Sequence, residues 1–289
     1  MQDLSMLEPF SEHVNSFEEI IGSLKTSDSL EIETSSDLQS ILALVHIEAA
    51  CLDTDIAYHR RLTPPNKEGK VNSSAQLCIA PFEESSDSPF VDGNRYSLVP
   101  LMSSVAHGTS SKQRPGVLDV VAQAACIANM MAPNGKRVRR MRHLLIAGSW
   151  LRSSLDSGLD STYTQLKEIL RDEGTIRVVP ITEIEDPDYS SLPEISSRMI
   201  KRLSKVWPEM NFEQRAMALS EMMLPTLRSD LSAARIEELG WQRMSPIGSS
   251  SDIASQLTRV EKEWRESDQS DIMFASTLAD NIIMNGELF

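Results

Sequence analysis

The chain has 289 residues, 40% of them hydrophobic but only 5% aromatic, with 14 methionines; this is enough for one large or two ordinary domains around an aliphatic, methionine-rich core. No stretch comes near the roughly 20 unbroken apolar residues of a membrane-spanning helix, because the longest, 117–132, is interrupted by Asp119, Gln123 and Asn129. The isolated Cys51, Cys78 and Cys126 form no disulfide framework, and the opening residues carry Asp3, Glu8 and Glu12 with no Lys or Arg, unlike a secretory signal, so an intracellular protein, cytoplasmic or nuclear, is expected.

The formal charge of −14 is unevenly spread. Residues 1–100 hold 17 acidic and 6 basic side chains, 101–160 hold 3 and 8, and 161–289 hold 22 and 14. A cationic middle therefore lies between acidic flanks.

Leu7, Phe10, Val14, Phe17, Ile21 and Leu24 recur at steps of three and four, which places them on one stripe of an N-terminal helix. Such a stripe docks either on the chain's own core or on a neighbouring subunit. A second helix is expected to start after Ser36 or Asp37, both good caps, and to run to about Arg60 with Leu38, Ile41, Leu42, Val45 and Ala49 inward. From Leu62 to His107 the helical period stops, and Pro64-Pro65, Gly69 and Asp92-Gly93-Asn94 mark turns. Two β-capable runs, 77–82 and 96–101, suggest a hairpin, with Pro81 and Pro100 confining it to an edge.

After a loop at 108–116, residues 117–131 are apolar nearly all round, as in a central buried helix. Pro133-Asn134-Gly135 ends it, and a helix from Lys136 to about Leu155 follows, then one at 161–171. Thr175–Thr182 is the best strand candidate. The remainder reads as helices near 192–206, 212–224, 226–239, 252–266 and 271–284, capped by Ser191, Asn211, Asp252 and Ser270.

The densest charge cluster is Lys136, Arg137, Arg139, Arg140, Arg142 and His143, with Arg152 further along. At about 100° per residue, Val138, Met141, Leu144, Leu145, Gly148 and Leu151 fall on one side and most of the cations on the other. A basic face of this kind contacts phosphates, pairs with the acidic flanks of the same chain, or serves as a nuclear-import signal.

His13, His46, His59, His107 and His143 show no metal-ligand spacing, and the phosphate-loop and nucleophile-elbow patterns do not occur. The nearest phosphate loop, Gly108–Lys112, lacks its second glycine, and Asn72-Ser73-Ser74 has only the form of a glycosylation sequon. No catalytic residue, cofactor or metal site is assigned.

The expected fold is mainly α, a two-lobed helical protein with a small β-hairpin or short strands. Its N-terminal lobe, 1–112, carries a loop/β insertion at 62–107, and its C-terminal lobe, 113–289, begins with the buried helix and the basic helix. The expected function is a non-enzymatic assembly or adaptor protein. It self-associates or binds protein partners, with the N-terminal stripe as interface, and touches a polyanion such as RNA through the basic helix. The alternative is an enzyme or small-molecule binder with a pocket among the methionine-rich C-terminal helices.

Overall fold

The computed structural model describes residues 2–26, 29–65, 75–106, 113–152, 160–190, 192 and 194–288. The 108–112 loop, the Asn72 sequon, His107 and Ser191 lie outside them. The chain divides into two compact units: Met1–Arg152 with Asp160–Glu168 and Ser267–Phe289, and Ser153–Leu159 with Ile169–Glu266.

Unit 1 opens with two short 3-10 turns and helix α1 (Val14–Thr26), which buries Phe17, Ile20, Ile21 and Leu24. A β-α-β crossover follows: β1 (Leu30–Ser35), α2 (Leu38–Asp53) and β2 (Tyr58–Thr63). Strands β1 and β2 pair in parallel, with Glu33 opposite Arg61 in register and their side chains 3.3 Å apart. The Asp37 carboxylate caps α2 by accepting from the Ser40 amide at 2.9 Å. Every residue of α2 from Leu38 through Cys51 is buried, so this helix lies within the core rather than laying one face on it.

Three short strands complete the sheet: β3 (Leu77–Ile79), β4 (Phe90–Asp92) and β5 (Arg95–Leu98), giving the order β2-β1-β3-β5-β4. The two segments expected to form a hairpin, 77–82 and 96–101, instead contribute β3 and β5, which pair in parallel. The hairpin is β4–β5, turned by Gly93 at φ 62. A second hairpin joins β6 (Leu101–Ala106) to β7 (Gln113–Leu118).

The buried helix α3 (Val120–Met131) is capped by Asp119, whose carboxylate accepts the Val121 and Ala122 amides at 2.9 and 3.1 Å. The expected single helix from Lys136 is three pieces: α4 (Lys136–Arg140), a 3-10 turn (Arg142–Ile146) and α5 (Ala147–Leu151). Helix α6 (Ser161–Asp172) passes from unit 1 into unit 2.

Unit 2 contains β8 (Ile176–Pro180), α7 (Ser197–Val206), α8 (Phe212–Met223), α9 (Ala233–Gly240), β9 (Gln242–Pro246) and α10 (Ile253–Glu266). The strands pair as a two-stranded antiparallel ladder from Ile176 opposite Pro246 to Pro180 opposite Gln242. Trp207 and Tyr189 meet edge to face at 5.4 Å in its interior. The chain then returns to unit 1 as α11 (Asp271–Asn285). There Arg60 of β2 joins three elements, bonding Glu48 of α2 at 2.6 and 2.7 Å and Asp280 of α11 at 2.8 Å.

The expectation of a mainly helical protein with a small hairpin is therefore corrected: this is an α/β fold, with a five-stranded mixed sheet and two hairpins. The sheet's strands are three to six residues long, and edge strand β2, Tyr58–Thr63, is mostly polar, so they carry little apolar alternation to mark them. Their parallel partners lie far apart in sequence. No helix among the described residues is long and apolar enough to cross a membrane.

Candidate interaction surface

The cations of 136–152 do not share one face. At Arg142 the chain tightens from a period of 3.6 residues to one of 3.0, which turns the following side chains by about 20° more per residue. Arg142 and His143 consequently enter the core, 2% and 6% exposed, and Arg142 donates to the Gln2 carbonyl at 3.0 Å. Arg137 pairs with Asp53 at 2.9 Å, and the second oxygen of Asp53 accepts the amides of Arg137 and Val138, supplying the N-terminal cap that Gly135 cannot. Arg139 bonds the Asn134 side chain at 2.5 Å. Arg140 donates to the Ile283 carbonyl at 2.6 Å, satisfying the last turn of α11. Arg152 is half-buried; desolvation lowers its pKa against the opposing pull of Asp119 and Asp160. Lys136 is exposed at the edge of a surface concavity that also includes Asp53, Thr54, Ala132 and Gly135.

The N-terminal stripe is likewise spent within unit 1. Phe10, Phe17, Ile21 and Leu24 are buried, and Leu7 and Val14 half-buried. The six do not share one helix, however: Leu7 and Phe10 precede α1 and flank the two 3-10 turns, while Val14 to Leu24 lie on α1, which packs on α3; the Leu4 amide bonds the Asn129 side chain of α3 at 3.1 Å.

In an open parallel sheet, ligands favour the carboxyl ends of the strands where the order reverses. Here that point lies between β1 and β3. Its hydroxyls are committed inward: Ser40 donates to Asp37 at 2.6 Å, Ser35 bonds the same carboxylate, Ser36 donates to the Thr63 carbonyl at 2.9 Å, and Thr34 to that of Ile79 at 3.2 Å. Burial raises the Asp37 pKa, with the Ser35 and Ser40 bonds working against it. Desolvation pushes the thiols of Cys51 and Cys78 up to about 12 and that of Cys126 higher still, so all three remain protonated at neutral pH and are poor nucleophiles. Among the described residues no three His, Cys, Asp or Glu side chains gather to hold a metal ion.

Two buried imidazoles give unit 1 an acid sensitivity. His46, on α2, is lowered to about 3 by desolvation first and by His143 and Arg142 second; His143 is lowered to about 4 by desolvation. Among the described residues no group hydrogen-bonds either nitrogen of His46. Both rings are neutral in the folded state, whereas the unfolded chain takes up protons below the ordinary value of 6.5. Their stabilising contribution is therefore present above pH 6.5 and is lost as pH falls toward 4, by up to ~1.4 kcal/mol per pH unit for each ring. Buried carboxylates with raised pKa values act in the opposite direction, so the comparison must be with a variant. His46→Leu should unfold in urea with a shallower loss of stability between pH 6.5 and 4 than the wild type. Identical slopes would exclude His46 as a source of the acid sensitivity.

Unit 2 keeps an outward apolar surface. On α8, Leu219, Met222 and Met223 are buried, while Met217 and Leu224, the C-cap that continues the helical turn seven residues on, lie on the opposite face at 68% and 58% exposure. Met199, Phe212, Leu227 and Trp241 of the same unit are also exposed. The methionine-rich composition suggests core or pocket, and only a helical wheel of α8 separates the outward Met217 from the inward Met222 and Met223. The helix α7 adds a feature missed altogether: Arg198, Lys201, Arg202 and Lys205 are all exposed and follow the i, i+3, i+4, i+7 pattern. In comparisons with known proteins, no family model and no curated sequence matches the chain.

Proposed function

We propose that the chain is a non-enzymatic assembly or adaptor protein that associates through unit 2, with copies of itself and with other proteins. The carrying observation is the Met217–Leu224 pair on the outer face of α8, set opposite that helix's buried residues. An apolar side chain returned from water to a contact contributes roughly 25 cal/mol per Å² covered, and methionine adapts its shape to the surface it meets. Most of the cations of 136–143 bond within unit 1 and form no part of this interface.

Sedimentation velocity over a range from low to high micromolar tests it. The wild type is expected to gain mass with concentration. Met217→Asp with Leu224→Asp should remain at the single-chain mass with an unchanged circular dichroism spectrum, because exposed substitutions usually alter stability by less than about 0.5 kcal/mol. A wild type that sediments as a single chain throughout, or a double variant that associates equally well, overturns the proposal.

A further inference from the structure

We infer that the basic stripe of α7 is a docking face for an acidic helical segment of another protein. The inference rests on the protein-binding reading above and adds a second surface, with its own chemistry. At 100° per residue Arg198, Lys201, Arg202 and Lys205 fall within about 100° of arc. Buried Leu203 lies on the other side, followed by buried Trp207. The stripe runs for two helical turns, about 10 Å, and no Asp or Glu occurs from Ile195 to Pro208. Its edge carries Met199, 47% exposed.

Of the four cations only Lys205, in the last turn, is favoured by the dipole of its own helix. Cations at i,i+3 and i,i+4 repel one another by about 0.2–0.5 kcal/mol per pair, and four such pairs are present. Arg198 also sits in the first turn, where the helix dipole disfavours positive charge. None of the four makes an ion pair or side-chain hydrogen bond among the described residues. Carboxylates supplied from outside would remove this repulsion.

Two features favour a protein segment over a nucleic acid. A chain of net charge −14 repels a long polyanion wherever the polyanion extends past the stripe, whereas a two-turn acidic helix interacts with little beyond it at a Debye length of about 8 Å. Met199 offers an apolar contact that a sugar–phosphate backbone does not match.

The test uses the whole protein and a fluorescein-labelled helical peptide with Glu at i, i+3, i+4 and i+7 and Leu along the adjoining edge. A Gln-for-Glu peptide and a labelled oligo-dT serve as competing probes in fluorescence anisotropy. The Glu peptide should bind at least about tenfold more tightly than the Gln peptide, as expected when several surface ion pairs of a few tenths to 1 kcal/mol each are lost together. Added salt should weaken it. The combined variant Arg198→Gln, Lys201→Gln, Arg202→Gln and Lys205→Gln should lose this preference, while Arg198→Lys with Arg202→Lys should keep it. Equal affinity for the two peptides, a preference that survives in the quadruple variant, or tighter binding of oligo-dT overturns the inference. The quadruple variant is also run in sedimentation. If it loses self-association, the occupant is a second copy and the inference fails; if self-association persists while the peptides are not distinguished, the stripe is refuted and the α8 surface stands.

Discussion

Arg243→Ala is expected to destabilise unit 2 by about 3–5 kcal/mol, the range for removing one member of a buried ion pair. The Arg243 and Asp252 side chains are both fully buried, 2.8 Å apart. Arg243 also donates to the Leu239 carbonyl at 2.7 Å and to that of Asp188 at 3.2 Å. It thus ties β9 to the end of α9 and to the 181–192 segment. Asp252 in turn accepts the Ser255 amide at 3.0 Å and its hydroxyl at 2.5 Å, which starts α10. Without the guanidinium the carboxylate would remain buried with only neutral donors. Such a loss is a large share of a domain's typical 5–15 kcal/mol. Urea unfolding followed by the fluorescence of Trp207 and Trp241 reads it, with Arg259→Ala as the comparison. That arginine pairs with Asp186 at 2.8 Å, but the carboxylate is 69% exposed, and such pairs contribute less than about 1 kcal/mol. Equal effects of the two substitutions would contradict the structure of this core.

Gly148→Ala is expected to destabilise unit 1 by about 1.5–5 kcal/mol, combining overpacking of about 1–3 with loss of a cap worth about 0.5–2. A Cβ at position 148 would lie 1.9 Å from Oδ1 of Asp119, 2.6 Å from its Cγ and 2.8 Å from Cβ of Val121. The same carboxyl caps α3 and accepts the Ser149 hydroxyl at 2.6 Å. Asp119 is fully buried and cannot swing into water. The added methyl must therefore part α5 from the start of α3. Gly22→Ala supplies the contrast. It lies exposed inside α1 with nothing within 4 Å of its added Cβ, so it should stabilise the protein by roughly 0.4–1 kcal/mol. Thermal unfolding of the two variants should move in opposite directions, and a harmless Gly148→Ala would mean that the α3–α5 contact is not as described.

What the sequence made legible follows from where the signal is local. Helices α3, α8, α10 and α11 were readable because cap and apolar period coincide in one stretch, as with Asp119 before Val120–Met131 or Ser270 before Asp271–Asn285. Strand β8 was readable from its β-branched run. The parallel sheet was not, because Glu31 and Glu33 mask the apolar residues of β1, and His59, Arg60 and Arg61 leave β2 without a strand signal, so that its first residues read as the end of a helix that in fact stops at Asp53. Only pairing across 28 residues of chain, with Glu33 opposite Arg61, gives those charges a reason. The single basic face expected at 136–152 is absent for a related cause. A wheel at constant period cannot show the 3-10 step at Arg142, nor that Asp53 and Ile283, remote in sequence, bond the side chains of Arg137 and Arg140. The α7 stripe, by contrast, is fully legible in 198–205; it was overshadowed by a denser cluster whose charges bond internally.

The central claim, that the protein associates through the outer face of α8 in unit 2, is tested most directly by methyl NMR of methionine-labelled protein over a dilution series. The 14 methionines report on both units. Met217 in unit 2 and Met6 and Met284 in unit 1 are well exposed, at 68%, 78% and 71%, while Met223 on the inner face of α8 is 2% exposed. The Met217 methyl is predicted to shift or broaden as concentration rises, with Met223, Met6 and Met284 unchanged. Concentration-dependent change at Met6 or Met284 with an invariant Met217 would contradict it.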